Sequence, residues 1–278
     1  MKIFISIDAE GIAGVSDWEQ IRSTGDDYAL GRSLLTRELN AVIDGVLSVD
    51  AMADILVNDS HGAMRNFDPA ALHGGASSLT GRHKPLYMME GLDATFDAAL
   101  FIGYHGSMGA RSLLSHTYNP RAIWEVKING EIVGESAINA LVAAYYQTPI
   151  ALISGDADTI DEFIKWAPDV TPVQVKQSIT RFAALSLHPE KACAILKEKT
   201  AQSLQRDLRV LRVIPSFGPQ VTMEITFLTA DMAAACAVIR GVELDKNRKR
   251  TAILTGDDYL AVFRSFVGAV QITRSLVE

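Results

Sequence analysis

Short apolar runs of β-prone residues alternate with helical stretches along the first two thirds of this 278-residue chain. The predicted strands are Ile3–Ile7, Ile55–Val57, Ala98–Gly103 and Ile150–Ile153. The longest predicted helix is Asp27–Val49, in which apolar residues recur at helical spacing. Such alternation is typical of an α/β fold, and we therefore predict a largely parallel central sheet flanked by helices.

The pattern changes after about residue 186. A helix opens at His188, and the following runs predict strands at Arg209–Ile214, Val221–Phe227 and Thr251–Leu254, with helices at Ala230–Arg240 and from Asp257. The length of the chain is compatible with one large domain or two ordinary ones. We predict an α/β domain over residues 1–185 that carries the functional site. A smaller α+β domain over residues 186–278 is predicted to complete the pocket or to mediate oligomerisation.

The charge balance excludes two classes of partner. Lys and Arg number 26 against 33 Asp and Glu, a net charge of −7. Nucleic acids and anionic membrane surfaces both require a basic face, so neither is an expected partner. The sequence contains no run of 18 apolar residues, so we predict no membrane-spanning helix. The first apolar run is interrupted by Asp8 and Glu10, which makes it too short for a secretory signal, and we expect a cytoplasmic protein.

Potential metal ligands follow three of the predicted strands. Asp8 and Glu10 end the first strand, and their spacing of two points both carboxylates to one face while the chain stays extended. His61 follows the second strand and His105 follows the third. Ligands of an open parallel sheet bind at the carboxyl ends of its strands, so these four side chains are expected at one edge. Mixed oxygen and nitrogen donors suit zinc or another first-row metal.

More than four such ligands would suit two metal ions that together promote hydrolysis. Further candidates are His116, eleven residues beyond His105, and Glu135, at the start of the helix that follows a predicted hairpin. The hairpin is predicted because Asn129-Gly130 separates two β-prone runs, and both central residues of a type I′ turn need positive φ.

The residues alone leave other functions open. Asp8-Ala9-Glu10 resembles the DxD motif of haloacid-dehalogenase-type phosphatases, and Asp156 with Asp161 resembles their acidic magnesium-binding motif. That interpretation puts Glu10 where the family has its second Asp, and it leaves both strand-end histidines unexplained. A dinucleotide site has weaker support, because the glycines of Glu10–Gly14 lack the GxGxxG spacing.

Several motifs in one order identify the chain as a member of the M55 peptidase family by resemblance. They are SIDAEGIAG (6–14), LVNDSH (56–61), MEGLDATF (89–96), ALFIGYH (99–105), SHT (115–117), VGE (133–135), INA (138–140), AAYY (143–146) and VKQSITR (175–181). The resemblance extends from residue 1 to about residue 200. It favours an enzyme over a non-catalytic, peptide-binding protein of the same fold, which stays as an alternative.

The resemblance implies a zinc-dependent aminopeptidase that hydrolyses the N-terminal peptide bond of short peptides, such as D-Ala-D-Ala, through a metal-bridging hydroxide. The ligands implied for its two zinc ions are Asp8, Glu10, His61, His105 and Glu135. Cobalt or manganese are expected substitutes for zinc. His116 is the implied catalytic residue, and a ring-shaped homo-oligomer is the implied assembly.

Overall fold

The computed structural model of the protein describes residues 1–211 and 220–277. The strands in this part of the chain are β1 Lys2–Ile7, β2 Asp54–Asp59, β3 Ser77–Leu79, β4 Ala98–Tyr104, β5 Ile123–Ile128, β6 Glu131–Ile132, β7 Ile150–Asp156, β8 Thr171–Thr180, β9 Ala183–Ser186, β10 Val221–Phe227, β11 Val242–Leu244 and β12 Thr251–Gly256. The helices are α1 Tyr28–Val49, α2 Glu135–Tyr145, α3 Ala157–Ile164, α4 Pro189–Leu204, α5 Ala230–Cys236 and α6 Tyr259–Arg274. Short 3-10 turns cover Trp18–Gln20, Tyr87–Met89 and Leu208–Val210.

A seven-stranded sheet forms the centre of the fold, in the order β3-β2-β1-β4-β7-β8-β9. Every neighbouring pair is parallel except β8 with β9. The inner strand β1 is buried on both faces, because Ile3, Ile5 and Ile7 pack in the core with α1 and α4 while Phe4 packs on the opposite side. The predicted α/β fold with a largely parallel sheet is confirmed.

A second, antiparallel sheet packs through α2 and α6 on the Phe4 side of the first, in the order β11-β12-β10-β5-β6. The predicted hairpin joins β5 to β6, with φ of 50° at Asn129 and 88° at Gly130. This sheet takes strands from both sides of residue 185, and α4 packs on α1 beside the first sheet. The sheets therefore do not separate at residue 185, and the two proposed domains stay a prediction.

Some local expectations were wrong or incomplete. The hairpin of β8 and β9 was not predicted, because Pro172 near its start and Lys176 at its centre disrupt the apolar pattern of β8. The strand predicted at Arg209–Ile214 begins instead with the 3-10 turn at Leu208–Val210, and residues 212–214 lie outside the described residues. The helix predicted at Ala230–Arg240 ends at Cys236. No described helix has both the length and the apolar character needed to cross a bilayer.

The ends of β1 and β4 are in direct backbone contact. The Gly11 N–H donates to the Gly103 carbonyl at 2.7 Å. A Cβ atom on Gly11 would lie 2.1 Å from the Tyr104 carbonyl oxygen, and one on Gly103, where φ is +71°, would lie 2.3 Å from the Asp8 carbonyl oxygen. Only glycine allows so close an approach at both positions. The two glycines therefore bring the residues after β1 against the residues after β4.

Gly11→Ala is expected to destabilise the fold by about 3 kcal/mol or more, because the added methyl group must push apart two backbone segments that nothing flexible separates. Urea unfolding followed by circular dichroism measures the change. Gly74→Ala is the control, since a Cβ there meets nothing within 4 Å and a change within roughly 0.5 kcal/mol is expected. Equal unfolding midpoints for Gly11→Ala and wild type would show that the backbone contact does not constrain the fold.

Candidate metal centre

All six residues predicted for the site meet at the carboxyl edge of the parallel sheet, and each is at most 8% exposed. Asp8 and Glu10 follow β1, His61 follows β2, His105 follows β4, His116 lies in the loop between β4 and β5, and Glu135 is the first residue of α2. The strand-end positions follow from the parallel topology, which places these strand ends at one edge.

Asp8 lies between two groups of potential ligands. Its Oδ1 atom is 3.2 Å from His61 Nδ1, which is also 3.0 Å from Glu10 Oε2. Its Oδ2 atom is 3.5 Å from His105 Nε2, which is 3.4 Å from Glu135 Oε1. Two donors that each bind a tetrahedral zinc ion at about 2.1 Å are roughly 3.4 Å apart. The donors therefore form two adjoining triads that share Asp8, and a third group able to hold an ion comprises Glu10, His105 and His116.

Three atoms of this cluster are buried and lack a hydrogen-bond partner among the described residues. They are Asp8 Oδ2, Glu10 Oε1 and His105 Nε2. Buried polar atoms are nearly always paired, because leaving one unpaired has a free-energy cost of roughly 1–3 kcal/mol. Each of these atoms belongs to one of the groups able to hold an ion. The cluster therefore fits divalent cations that accept its unpaired lone pairs.

The protonation of the cluster reflects burial and the close contact of carboxylates with imidazoles. Burial, helped by the Glu10 carboxylate, raises the pKa of Asp8 to about 7. Burial also opposes ionisation of Glu10, yet the charge of His61 holds the pKa of that carboxyl well below its usual range. For His61, burial favours the neutral ring, but Glu10 and Asp8 raise its pKa well above the usual value. Positive charge is thus needed within the cluster to keep its carboxylates ionised.

His116 is poised as a neutral imidazole beside the triads. Its ring stacks on His105 with centroids 4.3 Å apart, and its Nε2 is 3.6 Å from Glu135 Oε1. Its Nδ1 donates to the Leu114 carbonyl at 3.0 Å, which leaves the Nε2 lone pair facing the cluster. Burial and the neighbouring His105 lower the pKa of His116. The ring can therefore accept a proton at neutral pH.

Two residues that the sequence did not single out hold the site in place. Lys176 on β8 is 2% exposed and donates to the carbonyls of Glu10 at 2.9 Å and Val15 at 2.7 Å. Burial lowers the pKa of Lys176 to about 8. The backbone N–H of Tyr118 donates to Glu135 Oε1 at 2.7 Å. Lys176 lies in the VKQSITR motif, but its buried contacts were not predicted, and the Tyr118 contact has no signature in sequence.

Other acidic residues named from the sequence do not join the cluster. Asp156 caps α3 by accepting from the Thr159 N–H at 2.9 Å, and its other oxygen accepts from Ser178. Asp156 of the acidic motif required by the phosphatase interpretation is therefore used to hold α3 and β8. His73, His83 and His188 also lie outside the groups that could hold an ion.

A cavity of about 450 Å³ opens onto the cluster. Five of the six predicted site residues line it: Asp8, Glu10, His61, His116 and Glu135. His105 lies behind them and is 2% exposed. The cavity is large enough for a small organic substrate, whose reacting atoms would lie against the carboxylates and the His116 ring.

The comparisons with known proteins agree with this geometry. The Peptidase M55 family, described as D-aminopeptidase, matches residues 1–267. The chain belongs to this family. A D-aminopeptidase of Bacillus subtilis (strain 168) is 35% identical over 269 residues, which cover 96% of each protein. The solved Zn-dependent D-aminopeptidase DppA from Bacillus subtilis, a self-compartmentalizing protease, has a TM-score of 0.93 at 33% identity, over 99% of this chain and 98% of that one. The family prediction is confirmed, and the phosphatase alternative has no support.

Lys176→Met is expected to lower the free energy of unfolding by about 3 kcal/mol, because it leaves the buried Glu10 and Val15 carbonyls without their donor. Guanidinium unfolding with the exposed Lys191→Met as a control measures this loss. If both variants unfold at the wild-type midpoint, the buried ammonium does not hold the loop after β1.

Proposed function

We propose that this chain is a zinc-dependent aminopeptidase that removes the first residue of short peptides, with a preference for D-residues. The observation that carries the proposal is the pair of buried donor triads that share Asp8 at the floor of a cavity. Family membership supports the reaction class, and the Zn-dependent DppA structure supports the metal. Cobalt and manganese accept the same mixture of oxygen and nitrogen donors and are the expected substitutes.

Five residues are proposed to hold two zinc ions. Asp8 is shared, with Glu10 and His61 completing one group and His105 and Glu135 completing the other. Zinc bound there supplies a Lewis acid for the scissile carbonyl and lowers the pKa of water to near 7.

His116 is proposed as the general acid and base. Its Nε2 lone pair faces the cluster, so it takes a proton when water attacks the carbonyl and returns that proton to the departing amine. Stacking on His105 and edge contact with Trp18, whose ring centroid is 5.5 Å away, hold the imidazole in this orientation.

The D-preference and the assembly are drawn from the relatives. The residue types at the site do not distinguish D- from L-peptides, because handedness depends on three-point geometry. The D-preference is supported by the 35% identity to the Bacillus subtilis D-aminopeptidase. DppA is a self-compartmentalizing protease, and we propose a homo-oligomer of this chain, ring-shaped, that encloses its cavities. The cytoplasm stays the predicted compartment.

Metal analysis with a peptide assay tests the reaction. We expect about two zinc ions per chain, and cleavage of D-Ala-D-Ala that a chelator abolishes and added zinc restores. L-Ala-L-Ala, assayed in parallel under the same conditions, should be a much poorer substrate. A zinc-loaded protein that cleaves neither peptide would refute the aminopeptidase assignment, whereas equal cleavage of both would refute only the preference for D-residues.

Two histidine variants separate metal binding from proton transfer. His105→Ala should lose both bound zinc and activity, because it removes a ligand nitrogen from the buried group. His116→Ala should keep its zinc while kcat falls about 10²- to 10⁴-fold, the usual contribution of general acid–base catalysis. His73→Ala, outside the cavity, is the control for both. Unchanged kcat in His116→Ala would remove this residue from the mechanism.

A further inference from the structure

The cavity has an acidic floor and a basic mouth. Its acidic lining residues are the three carboxylates of the cluster, and its basic lining residues, apart from histidine, are all arginine: Arg22, Arg82, Arg121 and Arg274. The chain as a whole carries a net charge of −7, so this concentration of arginine runs against its composition. The zinc ions proposed for the cluster would offset its three carboxylates, so the arginines at the mouth attract the anionic end of a ligand.

Asn119 lines this cavity and has an unused hydrogen-bond donor. The residue is 6% exposed. Its Oδ1 accepts from the Arg121 N–H at 3.1 Å, which fixes the orientation of the amide. Its Nδ2 is buried and has no hydrogen-bond partner in residues 1–211 and 220–277. A buried donor of this kind is normally paired, so its partner is expected to be an oxygen atom of the ligand.

Arg22 stands at a defined distance from the reacting end of the cavity. Its guanidinium carbon lies 4.8 Å from the Trp18 ring centroid, which is 5.5 Å from that of His116. An extended peptide covers roughly 3.5 Å per residue. The distance from the guanidinium to the imidazole is therefore at most the length of about three extended residues. The guanidinium forms no hydrogen bond or ion pair with the described residues, and its N–H fork matches the geometry of a carboxylate.

We propose that Asn119, Arg22 and Arg121 bind the C-terminal carboxylate of the peptide while its N-terminal peptide bond lies at the proposed metal-binding cluster. The site then accepts di- and tripeptides with a free carboxylate and discriminates against longer or C-terminally amidated chains. The side chains of Arg82 and Arg274 add positive potential at the mouth of the same cavity. The proposal rests on the aminopeptidase function for its reaction, but its binding step can be measured without turnover.

The test compares D-Ala-D-Ala with its C-terminal amide on the zinc-loaded enzyme. We expect kcat/KM to favour the free acid by about 10- to 100-fold, the factor associated with a hydrogen bond to a charged group. Asn119→Asp retains an oxygen for the Arg121 N–H but replaces the donor with a negative charge. It should remove most of the preference for the acid, and Arg22→Gln should act in the same direction. Arg264→Gln, exposed on α6 and outside the cavity, is the matched control and should not change the ratio.

Equal rates for acid and amide in the wild type, or a ratio that neither Asn119→Asp nor Arg22→Gln changes, would overturn the proposal. D-Ala-D-Glu amide carries its carboxylate only on the side chain, and cleavage as fast as that of D-Ala-D-Ala would overturn the assignment to the terminal carboxylate. Calorimetric titration of the same peptides separates this proposal from the reaction. Tighter binding of the acid without hydrolysis would refute only the aminopeptidase function, whereas equal binding would refute the carboxylate site.

Discussion

The hydrogen bond from the Gly11 N–H to the Gly103 carbonyl is the contact on which the rest of the site depends. Adjacent parallel strands normally stand about 4.8 Å apart, and their ends then diverge with the twist of the sheet. Here the chain leaving β1 instead lies directly against the end of β4. The carboxylates of Asp8 and Glu10 therefore reach the same small volume as the imidazole of His105. A side chain at either glycine would hold these groups apart.

Because this cluster is buried, its positive and negative charges must balance closely. Three carboxylates and three imidazoles share a region nearly closed to water, where unpaired charge is expensive. The protein supports them with fixed donors from elements that contribute no ligand: the Lys176 ammonium from β8 and the Tyr118 N–H from the loop before β5. Such outer contacts orient ligands and make them better donors. Arg274 at the end of α6, together with Val277 just beyond it, also lines the cavity.

The sequence predicted the positions of those side chains whose place is decided by the topology of the sheet alone. Asp8, Glu10, His61 and His105 follow parallel strands, and the ends of such strands converge whatever the intervening chain does. Glu135 and His116 were proposed as ligand and catalyst from resemblance, because a helix start and a loop can be placed only once the chain has folded. Lys176 and Asn119 were missed for another reason. Their significance lies in burial and in which hydrogen bonds are made or left unmade, and neither property has a sequence signature. The β5–β6 hairpin was predicted as an element, but not its membership of a sheet completed more than ninety residues later.

The position of His105 has a kinetic consequence. This proposed ligand lies behind the others, and the remaining proposed ligands face the cavity that is proposed to receive the peptide. An ion held by these residues and a peptide bound in front of them would therefore use one entrance. A peptide seated in the cavity blocks the route by which an ion leaves or a chelator arrives. Exchange of the ion is then confined to the intervals between one product leaving and the next substrate arriving, so an enzyme saturated with substrate protects its own metal.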